Sequence, residues 1–579
     1  SSDVCSSDLK TLNLVVSSFS LDEKYVKFGF DCLGHGTEVA GIIAACGEIK
    51  GVAPGAQLLA VKVMNGSGDT SLDSLKEAVK IAAERGAGIA VISMGQYQLS
   101  AEEQQNLAVL AKKLWDHYGM ILCLAAGNNG PGLGTVASTA TTPYTISVGA
   151  YATPEMWYND YGWKVEKPTI WYFSSAGPAA DGLTVPMVIA PGNVISTYPL
   201  WGDEKYRLDE GTSMAAPHVA GAAALLLDAV QHGLYRADNR AVYQALVYGA
   251  EPLPDFEPAE QGFGAINLMR AWEEIKNTHS DPGTLQVKQY SPEYGYGKGF
   301  YSRELKPGEL TLEISNNSDN NKEMIIGGLV SWIKPGQYTV QVPAQSKRKI
   351  DISYDEPSKP GLYSNFLVGD DYSTPGWDMA ALQTFIVPYY LNNIPGKQFK
   401  EDNSLAAGQF KRYFFNVPAG TGKFDLNLDV SDGRARMHII SPAGRQDVSQ
   451  YAGQGKVQAS RTAAMSYTEP AAGTWEVIVY SSATLSTFGS GETEYTLKSA
   501  INETKTVREQ LPDAKYLVSI LPQKLDANRQ NYISLYFWNP VSKLPAQGAV
   551  AINGKVYEIK NGIVELKVTP QDDSVTLNI

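Results

Sequence analysis

The sequence predicts a parallel α/β sheet flanked by helices up to about residue 277, followed by all-β domains of the sandwich type. Two observations carry this prediction. Up to about residue 275, helical periodicity alternates with short apolar runs of strand length, the pattern of a parallel sheet covered by helices. Beyond about His279 the chain is rich in Tyr, Val, Thr, Gly and Pro, with alternating runs such as 337–342 and 424–430, a strand signature. Composition agrees: of 579 residues, 44% are hydrophobic and 19% charged, as in globular rather than disordered chains. Such a length accommodates about four domains of ordinary size.

The elements follow in order. Residues 12–19 and 25–30 are strand-like runs separated by Leu21-Asp22-Glu23-Lys24, which reads as a solvated hairpin turn. Gly34-His35-Gly36-Thr37-Glu38 is a Gly-flanked polar start that opens an apolar helix. Residues 72–85 and 101–117 have helical periodicity, and 89–93 and 121–125 are apolar strands. The run Ile121-Leu122-Cys123-Leu124-Ala125 reads as a buried parallel strand entering the turn Gly127-Asn128-Asn129-Gly130. Over 214–227 the side chains are nearly all Ala, Val, Leu or Gly, and a helix apolar on all sides belongs inside a large core. The expected division is 10–277 for the α/β domain, then 280–395, 396–502 and 503–579 for the β domains.

The polar residues at the helix starts carry the chemistry. Ser213 is expected at the N-cap of the apolar helix, where free N–H groups and the positive end of the dipole favour developing negative charge. A nucleophile whose attack creates an oxyanion belongs in such a place, although simple capping is the commoner use of serine there. A serine hydroxyl also needs an adjacent base. Of the six histidines, His35, His117, His218, His232, His279 and His438, only His35 stands in a comparable setting. His218, on the serine helix itself, reads as a packed or capping residue.

Gly211-Thr212-Ser213-Met214-Ala215-Ala216-Pro217 resembles the serine motif G-T-S-[MA]-[AS]-x-P of the subtilisin-like proteases, the subtilases. His35-Gly36-Thr37-Glu38-Val39-Ala40-Gly41 resembles their histidine motif H-G-T-H-V-A-G, with Glu38 in place of the second histidine. A carboxylate there suits the helix dipole and is expected to raise the basicity of His35. Ala125-Ala126-Gly127-Asn128 resembles the oxyanion segment, and Ser93-Met94-Gly95 the S-[LM]-G edge that pairs with substrate backbone as an added strand. Residues 262–276 resemble the closing turn and last helix of a subtilase domain.

The resemblance implies Ser213 as nucleophile, His35 as general base, and Asn128 with the backbone N–H of Ser213 as oxyanion donors. It places Ser93, Met94, Gly95, Ala125, Ala126 and Gly127 along the substrate. The implied activity is hydrolysis of peptide bonds in protein or peptide substrates through an acyl-enzyme. No metal or other cofactor is required, and structural calcium is compatible with the family.

The aspartate of the triad departs from the pattern. Ahead of His35 stand only Asp3, Asp8, Asp22 and Asp31, and none ends an apolar strand as D-[ST]-G. Asp31, four residues from His35, occupies a place where subtilases often carry a non-catalytic aspartate. Val4-Cys5-Ser6-Ser7-Asp8-Leu9 looks like a translated sequencing adapter, so residues 1–9 are expected to be an artefact and the aspartate strand to lie upstream of a fragment.

Several classes are disfavoured. A net charge of −13 without a basic stripe argues against nucleic acid. No uninterrupted apolar run reaches the roughly 20 residues of a membrane span. Cys32, Cys46 and Cys123 are isolated and outline no disulfide framework, and Cys46 and Cys123 are expected to be buried.

A narrower resemblance points to the tripeptidyl-peptidase II family, in residues 173–182 and 411–418 and in the order of β domains. The middle β block equally resembles jelly-roll domains appended to secreted bacterial proteases. Three readings follow: an endopeptidase, which is favoured; a tripeptidyl-peptidase; and a catalytically silent binding protein that uses its β domains. The first goes with an extracellular protein and the second with a cytoplasmic one.

Overall fold

The computed structural model describes residues 31–97, 99–233, 238–277, 285–292, 295–304, 310–355, 357–371, 377–455 and 460–503, and five later strands named below. The adapter-like leader, Asp3, Asp8, Asp22 and the strand-like runs over 12–30 lie outside the described residues. The chain forms two compact units, 1–504 and 505–579.

The α/β layer is built on a sheet of β1 (Ile89–Ile92), β2 (Ile121–Ala125), β3 (Ile146–Ala152), β4 (Thr169–Ile170) and β5 (Val188–Pro191). β1 pairs with β2, β2 with β3 and β3 with β5 in parallel, and β4 adds to β3 antiparallel. Every residue of β2 is buried, as its unbroken apolar run requires. The helices are α1 (His35–Ala44), α2 (Leu72–Glu84), α3 (Ala101–Tyr118), α4 (Pro154–Tyr161), α5 (Thr212–His232), α6 (Asn239–Tyr248), α7 (Pro258–Gln261) and α8 (Leu268–Asn277). Local chemistry sets their ends. Ser71 Oγ accepts from Ser74 N at the start of α2, Ser100 and Glu103 form a reciprocal capping box on α3, and Gly119 ends α3 at φ 58°. The hairpin β6 (Asn193–Thr197) and β7 (Tyr206–Glu210) leads directly into α5.

α5 crosses β1, β2, β3 and β5 and packs on α1 and α6. Its Ala215, Ala216, Ala220, Ala222 and Ala223 are at most 3% exposed, and these small side chains let the sheet approach closely. Among the described residues it is the helix long and apolar enough to cross a membrane, and its composition is that of a buried core helix.

Two β-sandwiches follow in the same unit. The first packs a sheet of Phe300–Ser302, Met379–Val387, Gly361–Asp371, Lys322–Gly328 and Thr339–Val342 on one of Ile333–Pro335, Ser346–Tyr354, Leu310–Asn316, Leu285–Ser291 and Gly295–Gly297. Leu312, Ile314, Met324, Leu367 and Phe385 fill the space between them. The second has Phe410–Val417, Gly473–Ser481 and Arg434–Ile440 at the centre of one sheet, and Gln398–Ala406, Glu492–Glu503, Thr421–Asp432 and Thr462–Thr468 in the other. Both sandwiches share core with the α/β layer: Phe366 stacks on Phe263 at 4.3 Å, and Ala407 and Leu485 join the same cluster.

The unit 505–579 has a three-stranded sheet of Leu517–Leu521, Asn531–Trp538 and Ile563–Val568 and a ribbon of Gly548–Ile552 with Lys555–Ile559. Leu535, Phe537, Ile552 and Val564 form its core.

The cysteines require a correction. Cys123 is fully buried and free, and Cys32 is free, but Cys46 is half-buried and disulfide-bonded. Cys46 sits where α1 has ended and the chain turns back, bridging to Lys50, so its apolar neighbours do not enclose it.

Candidate active site

Ser213 stands two residues past the cap. Gly211 is the N-cap, at φ 151°, a conformation that favours glycine, and Thr212 and Ser213 are the first two helical residues. Met214 N and Ala215 N bond to Gly211 O, so Ser213 N lies among the first-turn donors that no helical carbonyl takes. The expectation of Ser213 as N-cap is thereby corrected. Four residues on, Pro217 has no N–H to give to Ser213 O. That carbonyl instead accepts Ser93 Oγ at 2.8 Å, while Ser213 Oγ donates to Ser93 O at 3.1 Å. The serine is clamped to the end of β1 by this reciprocal pair.

Asn128 is exposed at the end of the turn after β2. Its Oδ1 accepts from Thr212 N at 3.0 Å and from Thr212 Oγ1 at 2.9 Å, and Thr212 Oγ1 in turn accepts Gly127 N at 3.0 Å. With the oxygen engaged on that side, the amide nitrogen is turned to the other. The space that a Cβ on Gly211 would take lies 3.3 Å from Asn128 Nδ2 and 3.6 Å from Ser213 N. Both nitrogens, with Asn128 Oδ1 at 3.9 Å, therefore border one small cradle beside the serine. Further bonds hold the turn: Asn128 N donates to Tyr97 Oη at 2.8 Å, Asn129 N to Ser175 Oγ at 3.1 Å, and Ser175 N to Gly127 O at 2.9 Å.

His35 is the first residue of α1, behind Gly34 at φ 87°. Asp31 builds this helix start, accepting from Thr37 Oγ1 and Thr37 N at 2.7 Å each, from Gly34 N at 2.9 Å and from Leu33 N at 3.2 Å. Burial works against its charge, but these bonds outweigh it and hold the carboxyl below the usual range. α1 packs on α5 and β6, with Ser196 Oγ on Glu38 O at 2.7 Å and Thr197 Oγ1 on Thr37 O at 3.0 Å. Burial lowers the pKa of His35, while Asp209 and Asp31 pull it upward. A depressed pKa keeps the imidazole neutral, the form a base needs. Among the described residues no hydrogen bond joins His35 to Ser213, whose hydroxyl faces Ser93.

Glu38 does not act as expected. It is 2% exposed, and burial, with Asp209 hydrogen-bonded beside it, pushes its carboxyl up to about 8 against the opposing pull of Arg207 at 3.9 Å. At neutral pH it is protonated and adds no negative charge beside His35. Asp209, on β7, and Asp31 are the carboxylates that pull His35 upward.

The expected substrate edge is only partly open. Met94 packs against the core and Gly95 lies against Ala137. Ala125 and Ala126 are buried. Ala126 N bonds to Val148 O and its carbonyl accepts Ala137 N, while Gly127 is engaged by Thr212 and Ser175. Ala126 and Gly127 thus support the turn through their own backbone groups. His218 Nδ1 contacts Met214 O at 2.8 Å inside the helix, the packed role its place implied.

Three contributors were not read from the sequence. Thr212 orients Asn128, and its place in the serine motif was the available signal. Tyr97 and Asp209 act across the chain and carry no motif.

The profile of the Subtilase family matches residues 22–297. Pyrolysin of Pyrococcus furiosus is 28% identical over 508 residues, covering 73% of this chain and 35% of the relative. Tripeptidyl-peptidase 2 of Oryza sativa subsp. japonica is 27% identical over 447 residues, covering 71% of this chain and 32% of the relative. The chain spans about a third of the length of these relatives. Serine protease AprX of Bacillus subtilis is 32% identical over 264 residues, 41% of this chain and 57% of the relative. The crystal structure of tripeptidyl peptidase 2 superposes over 87% of this chain and 42% of its own, with TM-score 0.65 and 19% identity, a likeness of fold. The family's profile thus covers the α/β domain, which is subtilisin-like, and stops short of most of the β region.

Proposed function

We propose that the chain is a serine-type peptidase acting as an endopeptidase. Ser213 is the nucleophile, His35 the general base, and Asn128 Nδ2 with Ser213 N the oxyanion donors. The observation that carries this reading is the cradle at Gly211, flanked by both N–H groups with the amide orientation set by Thr212. Attack by Ser213 on a carbonyl would place negative charge there, where each donor contributes on the order of 3 kcal/mol to the barrier. His35 would take the serine proton once the hydroxyl turns from Ser93, then pass it to the leaving amine. These steps use side chains and backbone alone and call on no cofactor.

We also propose the domain division 10–277, 280–395, 396–502 and 503–579, with Ser93, Met94, Gly95, Ala125, Ala126 and Gly127 bordering the substrate. A tripeptidyl-peptidase is the second reading, favoured by the likeness to tripeptidyl peptidase 2 that extends through the β region. Peptides with an acetylated N-terminus separate the two, because only an endopeptidase cleaves them internally.

Labelling with a fluorophosphonate tests the main reading. Ser213 should carry the adduct, and Ser213→Ala should abolish labelling and lower turnover by roughly 10⁶. Unlabelled protein, or turnover unchanged in Ser213→Ala, would leave the silent binding protein as the remaining reading.

A further inference from the structure

The turn that holds Asn128 leans on the second sandwich. Gly130 O accepts Gln446 Nε2 at 2.9 Å. Leu133 N donates to Glu476 Oε2 at 3.1 Å in a buried bond. Between them, Gly132 lies so near the sandwich that a Cβ would come within 2.5 Å of Ile440 Cγ1. On its other side the turn is fixed to the α/β layer by Gly130 N on Phe173 O at 2.7 Å and Thr135 N on Ala176 O at 2.9 Å.

Glu476 is itself held rigidly. It is fully buried and bonded to Arg412, with Arg303 of the first sandwich at 3.9 Å. Arg412 is almost fully buried and reaches Glu260 of α7 with Nε at 2.7 Å. Two arginines and two glutamates thus form a charge-balanced cluster, with Arg303 at its partly exposed edge, joining the α/β layer to both sandwiches. Buried charges of this kind keep their geometry, since displacing one leaves another unpaired. Gln446 and Glu476 sit more than three hundred residues from the turn they hold.

We propose that the second sandwich positions the oxyanion donor, with Gln446 and Glu476 as positioning residues that act through the 130–133 segment on Asn128. The proposal rests on the peptidase reading above. A donor must lie close to the oxygen it stabilises, and a displacement of about 1 Å can lower a rate up to a hundredfold. Asn128 is only two residues from Gly130, so a loosened Gly130 shifts it directly.

The test is a double-mutant cycle between Gln446→Leu and Asn128→Ala in the full chain, read by the rate of fluorophosphonate labelling and by kcat and KM on a peptide anilide. Gln446→Leu should lower the labelling rate and kcat about tenfold with KM within about twofold, and should have almost no further effect in the Asn128→Ala background. Glu476→Gln, checked by thermal melting for an intact fold, should follow the same pattern. Equal losses in both backgrounds, or no loss in folded variants whose Ser213 still labels, would overturn the proposal. Failure of the unmutated protein to label would instead overturn the peptidase reading, and this inference with it.

Discussion

The central helix of the α/β layer buries Ala215, Ala216, Ala220, Ala222 and Ala223, whereas the second sandwich buries Tyr413, Phe415, Phe424 and Trp475. The two cores exclude water by different means. Small side chains in α5 bring backbones together, and the candidate site is held largely by backbone groups: Ser93 O, Ser213 O and Gly127 N. The sandwiches enclose volume with rings, and the buried cluster around Arg412 lies at their margin with the α/β layer. One region assembles chemistry from positions. The other supplies rigidity from mass.

If that division is right, damage to each region should appear in a different measurement. The largest effect is expected for Phe385→Ala in the first sandwich, where the ring is fully buried against Trp332, Tyr354 and Tyr363. Denaturant unfolding should show a loss of about 3–5 kcal/mol, with the labelling rate of the folded protein unchanged. Asn128→Ala should do the reverse. It should lower kcat by roughly 10²–10³, about 3–4 kcal/mol, and cost only about 1–3 kcal/mol of stability, from the Thr212 groups left without their acceptor. A comparable rate loss in Phe385→Ala would show that the two regions are not separable in this way.

A smaller effect sharpens the comparison through pH. Glu38 is buried with its folded pKa pushed up to about 8, from an ordinary value of 4.5. Between those values the folded protein holds one proton more than the unfolded chain. Stability from this group is therefore fully present below pH 4.5 and is lost as pH rises through about 8, with a slope of up to about 1.4 kcal/mol per pH unit. Glu38→Gln should flatten that slope in unfolding measured from pH 5 to 9. The labelling rate should follow the neutral form of His35, rising through an inflection below the usual histidine value of about 6.5, because burial lowers its pKa.

Much of the α/β layer was legible in the sequence because its signals are local and periodic. The helices expected over 72–85 and 101–117 are α2 and α3, and the strand over 121–125 is β2. Ser213, His35 and Asn128 stood out through glycine-flanked polar residues beside apolar runs. The errors have physical causes. Ser213 was read as the cap, two positions from its true place, because the φ of Gly211, not a side-chain bond, starts the helix. Glu38 was read as a charge because its partner Asp209 lies on a distant hairpin. Tyr97, Gln446 and Glu476 reach the Asn128 turn across long stretches of chain, and such contacts leave no periodic trace.

The central claim is that Asn128 Nδ2 and Ser213 N together form the oxyanion cradle. A crystal structure of the protein phosphonylated at Ser213 tests it most directly, because the adduct's free oxygen stands in for the oxyanion. The account predicts that oxygen in the space beside Gly211, about 2.7–3.1 Å from both nitrogens, with Asn128 Oδ1 still on Thr212. An oxygen turned away from Asn128, or an amide flipped off Thr212, would contradict it.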